Sequence, residues 1–173
     1  MIGYTVVTFY GYMGWGTGLL FDGGPHALSE AFFLNNQALI HQLATRYPDV
    51  LAEQPEPDAY TGKAITAFAE TYAKGQRDAL GLLWDRDTVA FYGDPAWLAQ
   101  YPPDQAAVGF KLREEHGLWT LRITVLKDHA WCDPKWGARP LMCLLPTRVC
   151  EISDVTCSSA GTPVITDLFA LVP

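Results

Sequence analysis

The sequence predicts an α/β segment followed by an all-β module, and three observations carry that prediction. Apolar residues recur at helical spacing only within roughly the first hundred positions. The run Tyr101-Pro102-Pro103-Asp104 then interrupts both helix and strand patterns. Beyond it, apolar and polar residues alternate with the period of two that marks β-strands. The chain therefore divides into residues 1–101, a layer of strand, two helices and strand, and residues 102–173, a small β-sandwich-like module of about four or five strands. With 49% hydrophobic and 13% aromatic residues among 173, the chain has ample material for a core. A module of about seventy residues is marginal on its own, so extensive contact between the two parts is expected.

Taken in order, Gly3-Tyr4-Thr5-Val6-Val7-Thr8-Phe9-Tyr10 reads as a buried strand, and the glycine-rich loop Gly11 to Gly18 follows it. The expectation is that the chain enters in mid-sheet, with the chemistry carried upstream; the alternative is an ordinary edge strand that comes first. Gly24-Pro25 supplies a helix start, and Leu28, Phe32, Leu39 and Leu43, flanked by Ala31, Leu34 and Ala38, form one apolar stripe. That helix, of about five turns, ends before Tyr47-Pro48, because the residue preceding proline is driven out of the α region. Pro48 to Asp58 reads as a polar surface loop. A second helix places Ile65, Phe68 and Tyr72 on one face and continues towards Leu80. Thr88 to Tyr92 is a short strand closed by Gly93-Asp94-Pro95. In the second part Leu118, Thr120, Arg122 and Thr124 alternate with Trp119, Leu121, Ile123 and Val125, a strand with two different faces. Leu141 to Leu145, Arg148 to Ile152 and Pro163 to Val172 supply the remaining strands.

The formal charge of −7 argues against a nucleic-acid groove or an anionic membrane surface, both of which need clustered Lys and Arg. Partners are expected to be neutral or basic. No stretch is long and apolar enough to span a bilayer, and Met1-Ile2-Gly3-Tyr4 lacks the basic start of a signal peptide. Cys132, Cys143, Cys150 and Cys157 suit either two disulfides or buried thiols in a strand-rich core. The disulfide reading points to an extracytoplasmic or secreted protein. None of the spacings makes a zinc clip, and no metal or cofactor is expected.

In the order Gly3 to Tyr10, Leu28-Ser29-Glu30-Ala31-Phe32 and Tyr92-Gly93-Asp94-Pro95, the chain resembles the C-terminal part of a gingipain-like cysteine peptidase of the caspase clan. The resemblance covers residues 3–98 by short motifs and the remainder by architecture alone. It implies a partial caspase-like layer closed by a Gly-Asp-Pro turn, then an immunoglobulin-like β module. For the complete protein it implies peptide-bond hydrolysis of a peptide or protein substrate, with a Cys nucleophile and a His base. Both would lie upstream of the stretch that Tyr4 to Tyr10 matches, so no catalytic residue is carried over and this chain alone is expected to be inactive. The resemblance places the loop Tyr10 to Gly18 at the active-site edge, where Tyr12, Gly14, Trp15 and Gly16 would line a substrate subsite. The competing reading packs Trp15 into the core beneath its loop.

Other constellations carry less. His116-Gly117 follows Glu114-Glu115 and is explained by a solvated hairpin turn rather than by catalysis. His129, Trp131 and Cys132 put an imidazole, an aromatic ring and a thiol in one loop, better suited to recognition than to a dyad. Gly14-x-Gly16-x-Gly18 lacks the helix N-terminus that a phosphate cradle requires. Asp85-Arg86-Asp87 reads as a charged turn, since a lone acid pair binds hard cations poorly. Of the six tryptophans, Trp15, Trp131 and Trp136 fall in loops, whereas Trp84, Trp97 and Trp119 read as core. The loop tryptophans support a second hypothesis, a non-catalytic extracytoplasmic binding module for peptide or carbohydrate. A third is a structural subunit whose first strand completes a sheet with an upstream polypeptide or a second copy.

Overall fold

The computed structural model describes residues 2–5, 26–61, 65–99, 108–125, 141–149, 151–157 and 162–172. Among these, all helices lie between Leu28 and Thr88, and the fold combines them with small antiparallel sheets.

The chain opens with β1 (Ile2–Tyr4), half-buried rather than fully so; the rest of the expected strand, Thr5 excepted, lies outside the described residues. Next come β2 (His26–Ala27) and α1 (Leu28–Arg46). The helix begins later than Gly24-Pro25 suggests, because β2 is first used to pair with a later strand. Ala27 has no side chain that can cap, so the helix start is satisfied differently. Ala27 N–H donates to the Glu30 carboxylate at 2.8 Å, and Leu28 N–H donates to the Trp97 carbonyl at 2.8 Å. Most of the predicted stripe is the buried face: Ala31, Leu34, Ala38, Leu39 and Leu43 are in the core, whereas Leu28 and Phe32 are half-buried. The helix ends at Arg46 as expected, and Tyr47, at φ −139° and ψ 56°, has left the α region as the residue before Pro48 must.

Pro48 does not open a plain loop. It sits at the first position of α2 (Pro48–Leu51), where its missing N–H costs nothing, and Pro57 starts a 3-10 turn, Pro57–Tyr60, in the same way. The second predicted helix is two: α3 (Ile65–Thr71) and α4 (Arg77–Thr88). Lys74 and Gly75 between them both take left-handed backbone, φ 50° and 72°, and Gly75 N–H closes back on the Ala69 carbonyl at 2.6 Å. Glycine makes this reversal cheap.

After α4 the chain runs into β3 (Val89–Phe91), which pairs antiparallel with β1, Ile2 opposite Phe91 and Tyr4 opposite Val89. Then β4 (Leu98–Ala99) pairs with β2. A long hairpin follows, β5 (Val108–Glu115) and β6 (Leu118–Val125), turning through His116 and Gly117 at φ 56° and 82°. Two consecutive positive φ values are what a two-residue turn between twisted strands needs, so the hairpin reading of this stretch holds. The last sheet joins β7 (Leu141–Leu144), β8 (Val164–Ile165) and β9 (Phe169–Val172), with β9 central. Arg148 to Val149 and Glu151–Ile152 are not strand. Val149 N–H donates to the Asp167 carbonyl at 2.9 Å, and Arg148 Nη1 meets the Asp167 carboxylate at 2.9 Å, so this stretch is tied to a turn instead.

One core joins the helices to the last sheet. Met142 and Phe169 are buried in the same cluster as Leu34, Leu39, Leu83 and Trp84, and Phe33 meets Phe169 edge-on at 6.1 Å. The expected contact between the two parts is therefore present. Trp84, fully buried, is approached edge-on by Tyr60 at 5.3 Å and Phe68 at 5.4 Å. Each such ring pair contributes about 0.5–1.5 kcal/mol beyond area burial.

Candidate functional site

Two places among the described residues combine polar organisation with accessible surface. The first is built by the C-terminal turn of α4. Asp85-Arg86-Asp87, expected as a charged turn, continues the helix to Thr88. Helical spacing points its members apart: Asp85 is buried and accepts from the Tyr4 hydroxyl at 2.9 Å, whereas Arg86 and Asp87 face the segment after α2. Arg86 donates to the Leu51 carbonyl at 2.7 Å and the Glu53 carbonyl at 2.8 Å, and grips the Asp87 carboxylate at 2.5 and 2.7 Å. Asp87 also accepts from the Tyr60 hydroxyl. Burial and the adjoining Asp87 carboxylate push the Tyr60 phenol far above its usual range, and Asp87 likewise raises the Arg86 guanidinium. Beside these groups lies an open depression of about 390 Å³, lined also by Thr5, Gln54, Pro55, Pro57 and Thr88. Arg86 and Asp87 are committed to loop carbonyls, to each other and to Tyr60. The arrangement fastens the loop to α4 and leaves the pair little capacity for a ligand.

The second place is the turn Tyr92 to Leu98, which joins β3 to β4. Gly93, at φ 125°, takes a conformation that side-chain-bearing residues rarely adopt. The Asp94 carboxylate accepts from Ala96 N–H at 2.8 Å, and its carbonyl accepts from Trp97 N–H at 3.3 Å. The Pro95 carbonyl accepts from the Ser29 hydroxyl at 2.6 Å, and the Trp97 carbonyl accepts from the first N–H of α1. The backbone is thus anchored while the side chains point outward: Trp97 is 56% and Leu98 72% exposed. The place of Trp97 beside a strand predicts a core residue. Its backbone is spent on capping α1 and β4 is only two residues long, so no sheet face covers the indole. The signal that could have found it was the Gly-Asp-Pro turn immediately before it, which marks a loop rather than a periodic segment.

Of the other tryptophans, Trp84 is core as expected and Trp119 is half-buried on the hairpin. The candidate residues Tyr12, Gly14, Trp15 and Gly16, and the secondary loop of His129, Trp131 and Cys132, lie outside the described residues. His116 is exposed in the hairpin turn, where Gly117 N–H donates to the Glu114 carboxylate at 2.6 Å. Cys143 is a half-buried free thiol in β7, and desolvation raises its pKa, which disfavours the nucleophilic thiolate. Among the described residues no three His, Cys, Asp or Glu side chains converge as metal ligands, and no helix is long and apolar enough to cross a membrane.

Comparison of the chain with protein-family models, with curated proteins and with solved structures finds no match.

Proposed function

We propose that the chain is a non-catalytic binding module that captures a peptide segment through the turn bearing Trp97 and Leu98. The observation that carries this reading is an indole more than half exposed on a backbone pinned by hydrogen bonds to α1. A rigid aromatic anchor costs little entropy on binding, which is why Trp dominates binding hot spots. Leu98 beside it makes the patch apolar, favouring an aliphatic or aromatic peptide side chain over a sugar ring. The net charge of −7 favours a neutral or basic segment around that anchor. β1 is paired with β3 and tied to α4 through Tyr4 and Thr5.

The test is titration of the chain with a library of short peptides, read by tryptophan fluorescence, with carbohydrate ligands in parallel. Binding of apolar-anchored peptides that Trp97→Ala abolishes, with thermal stability unchanged, is the expected result. Carbohydrate binding, or peptide binding indifferent to Trp97→Ala, refutes it.

A second reading follows the resemblance: the chain is the C-terminal portion of a gingipain-like cysteine peptidase, extracytoplasmic, with nucleophile and base on another segment. What favours it is the Gly93-Asp94-Pro95 turn that closes the helical part and the six strands beyond it among the described residues. On this reading the purified chain is silent against peptide substrates and insensitive to thiol alkylation. Thiol-dependent peptidase activity in this chain alone would sink both readings.

A further inference from the structure

The β5–β6 register sorts the hairpin into two unlike faces. Phe110, Leu112, Leu121 and Ile123 pair across one face and are half-buried. On the other, exposed face, Lys111 stands directly opposite Arg122, and Arg113 lies two residues further along β5, opposite Thr120. Three of the chain's twelve Lys and Arg residues thus share one patch on a protein of net charge −7. None of the three forms an ion pair among the described residues. One acid, Glu115, shares that face two residues from Arg113, so the face carries three cations against one carboxylate. Glu114 belongs to the opposite face and is engaged by Gly117 N–H, and Glu115, at the turn end of the basic face, faces Leu118.

This arrangement runs against local stability. Directly opposite residues have Cβ atoms about 5 Å apart, and like charges there are destabilising. A local conflict of this kind, with no compensating ion pair among the described residues, is typical of a functional surface. We infer that the exposed face of the hairpin docks an acidic, extended segment of a partner polypeptide, at a surface separate from the Trp97 turn. Lys111 and Arg113 lie about 7 Å apart along the strand, the same spacing as carboxylates at alternate positions of an extended peptide. Arg122 across the ladder can close on one of those carboxylates. The Thr120 and Thr124 hydroxyls, on the same exposed face, offer uncharged donors beside them. The face is about 26 Å long, which suits a short segment. A long polyanion such as nucleic acid would run off three cations onto a chain that is otherwise acidic.

The probe is a fluorescein-labelled synthetic peptide of about eight residues with Asp or Glu at alternate positions, followed by anisotropy at low and physiological salt. Saturable binding is expected, weaker at higher salt, and reduced about three- to fivefold for each cation removed in Lys111→Gln, Arg113→Gln and Arg122→Gln. The double variant Lys111→Glu/Arg122→Glu should lose the acidic peptide and gain the Lys-substituted version of it, a reversal that a misfolded hairpin cannot produce. Absence of binding, equal binding by all variants, tighter binding of single-stranded DNA or heparin than of the peptide, or salt-sensitive self-association that displaces the peptide would each overturn the inference.

Discussion

Replacing Arg86 by Met keeps the aliphatic stem of the side chain and removes its guanidinium, which tests whether this group fastens the 51–60 segment to α4. The structure shows what is lost: charged donors to the Leu51 and Glu53 carbonyls at 2.7 and 2.8 Å, and a two-point grip on Asp87 at 2.5 and 2.7 Å. A hydrogen bond involving a charged group is worth about 1.5–3 kcal/mol when buried. The side chains of Arg86 and Asp87 are 18% and 24% exposed, so water recovers part of that. The expected net loss is about 2–3 kcal/mol, a large fraction of the stability of a small protein. Urea unfolding followed by tryptophan fluorescence measures it, with Trp84 packed against Tyr60 as the reporter. Combining Arg86→Met with Asp87→Asn should cost less than the sum of the two, because the second change removes the carboxylate left without its cation. Hydrogen exchange should show protection lost first over residues 51–61. A loss for Arg86→Met within about 0.5 kcal/mol of wild type, the level of an ordinary surface substitution, would refute the assignment.

Three further outcomes are expected. Burial and the Asp87 carboxylate keep Tyr60 neutral in the folded chain at pH values where the unfolded chain ionises it, so its stabilisation is complete below about pH 10 and is lost as pH rises beyond; the stability gap between wild type and Tyr60→Phe should therefore narrow in alkaline unfolding titrations, and a constant gap would contradict this. Trp84 Nε1 has no hydrogen-bond partner among the described residues, so Trp84→Phe, which removes a buried unsatisfied donor while shrinking the ring, should cost about 1–2 kcal/mol against about 3–5 kcal/mol for Trp84→Ala; equal losses by thermal or urea unfolding would show that the indole N–H is satisfied. His116 holds a left-handed conformation in front of Gly117, so His116→Asn, which suits such a turn better, should stabilise the hairpin by about 0.5 kcal/mol, seen as a higher unfolding midpoint, whereas Gly117→Ala should lower it.

Much of the fold was legible because it follows from short-range rules. The apolar stripe of α1, its end at Tyr47-Pro48, the alternation of β6 and the turn at His116-Gly117 each depend on residues within a few positions of one another. The break between α3 and α4 was written as well, in Lys74-Gly75, but the apolar spacing either side of it imitates one continuous helix. Pro48 reads as a loop marker because proline ends helices; here it begins one, and only the non-helical backbone of Tyr47 before it decides between the two uses.

The candidate surfaces were less legible, since they depend on which segments meet. Trp97 is apolar and stands just before β4, so its composition argues for burial. It is exposed because its carbonyl caps α1, nearly seventy positions upstream in sequence, and a backbone held there turns the indole to solvent. In sequence Arg86 and Asp87 read as a charged turn; the fold brings them two carbonyls and a tyrosine hydroxyl from the 51–60 segment. The basic patch on the hairpin lies between: the sequence shows alternation along β6, but the pairing of Lys111 with Arg122 is a matter of register. By itself, then, the sequence determined the helical and β regions, the face that each amphipathic element buries and the turn at the hairpin tip, because periodicity and backbone sterics act locally. The tertiary structure alone decided which carbonyls α1 and Arg86 find, which indole stays outside and which charges confront each other, because those depend on distances between residues remote in the chain.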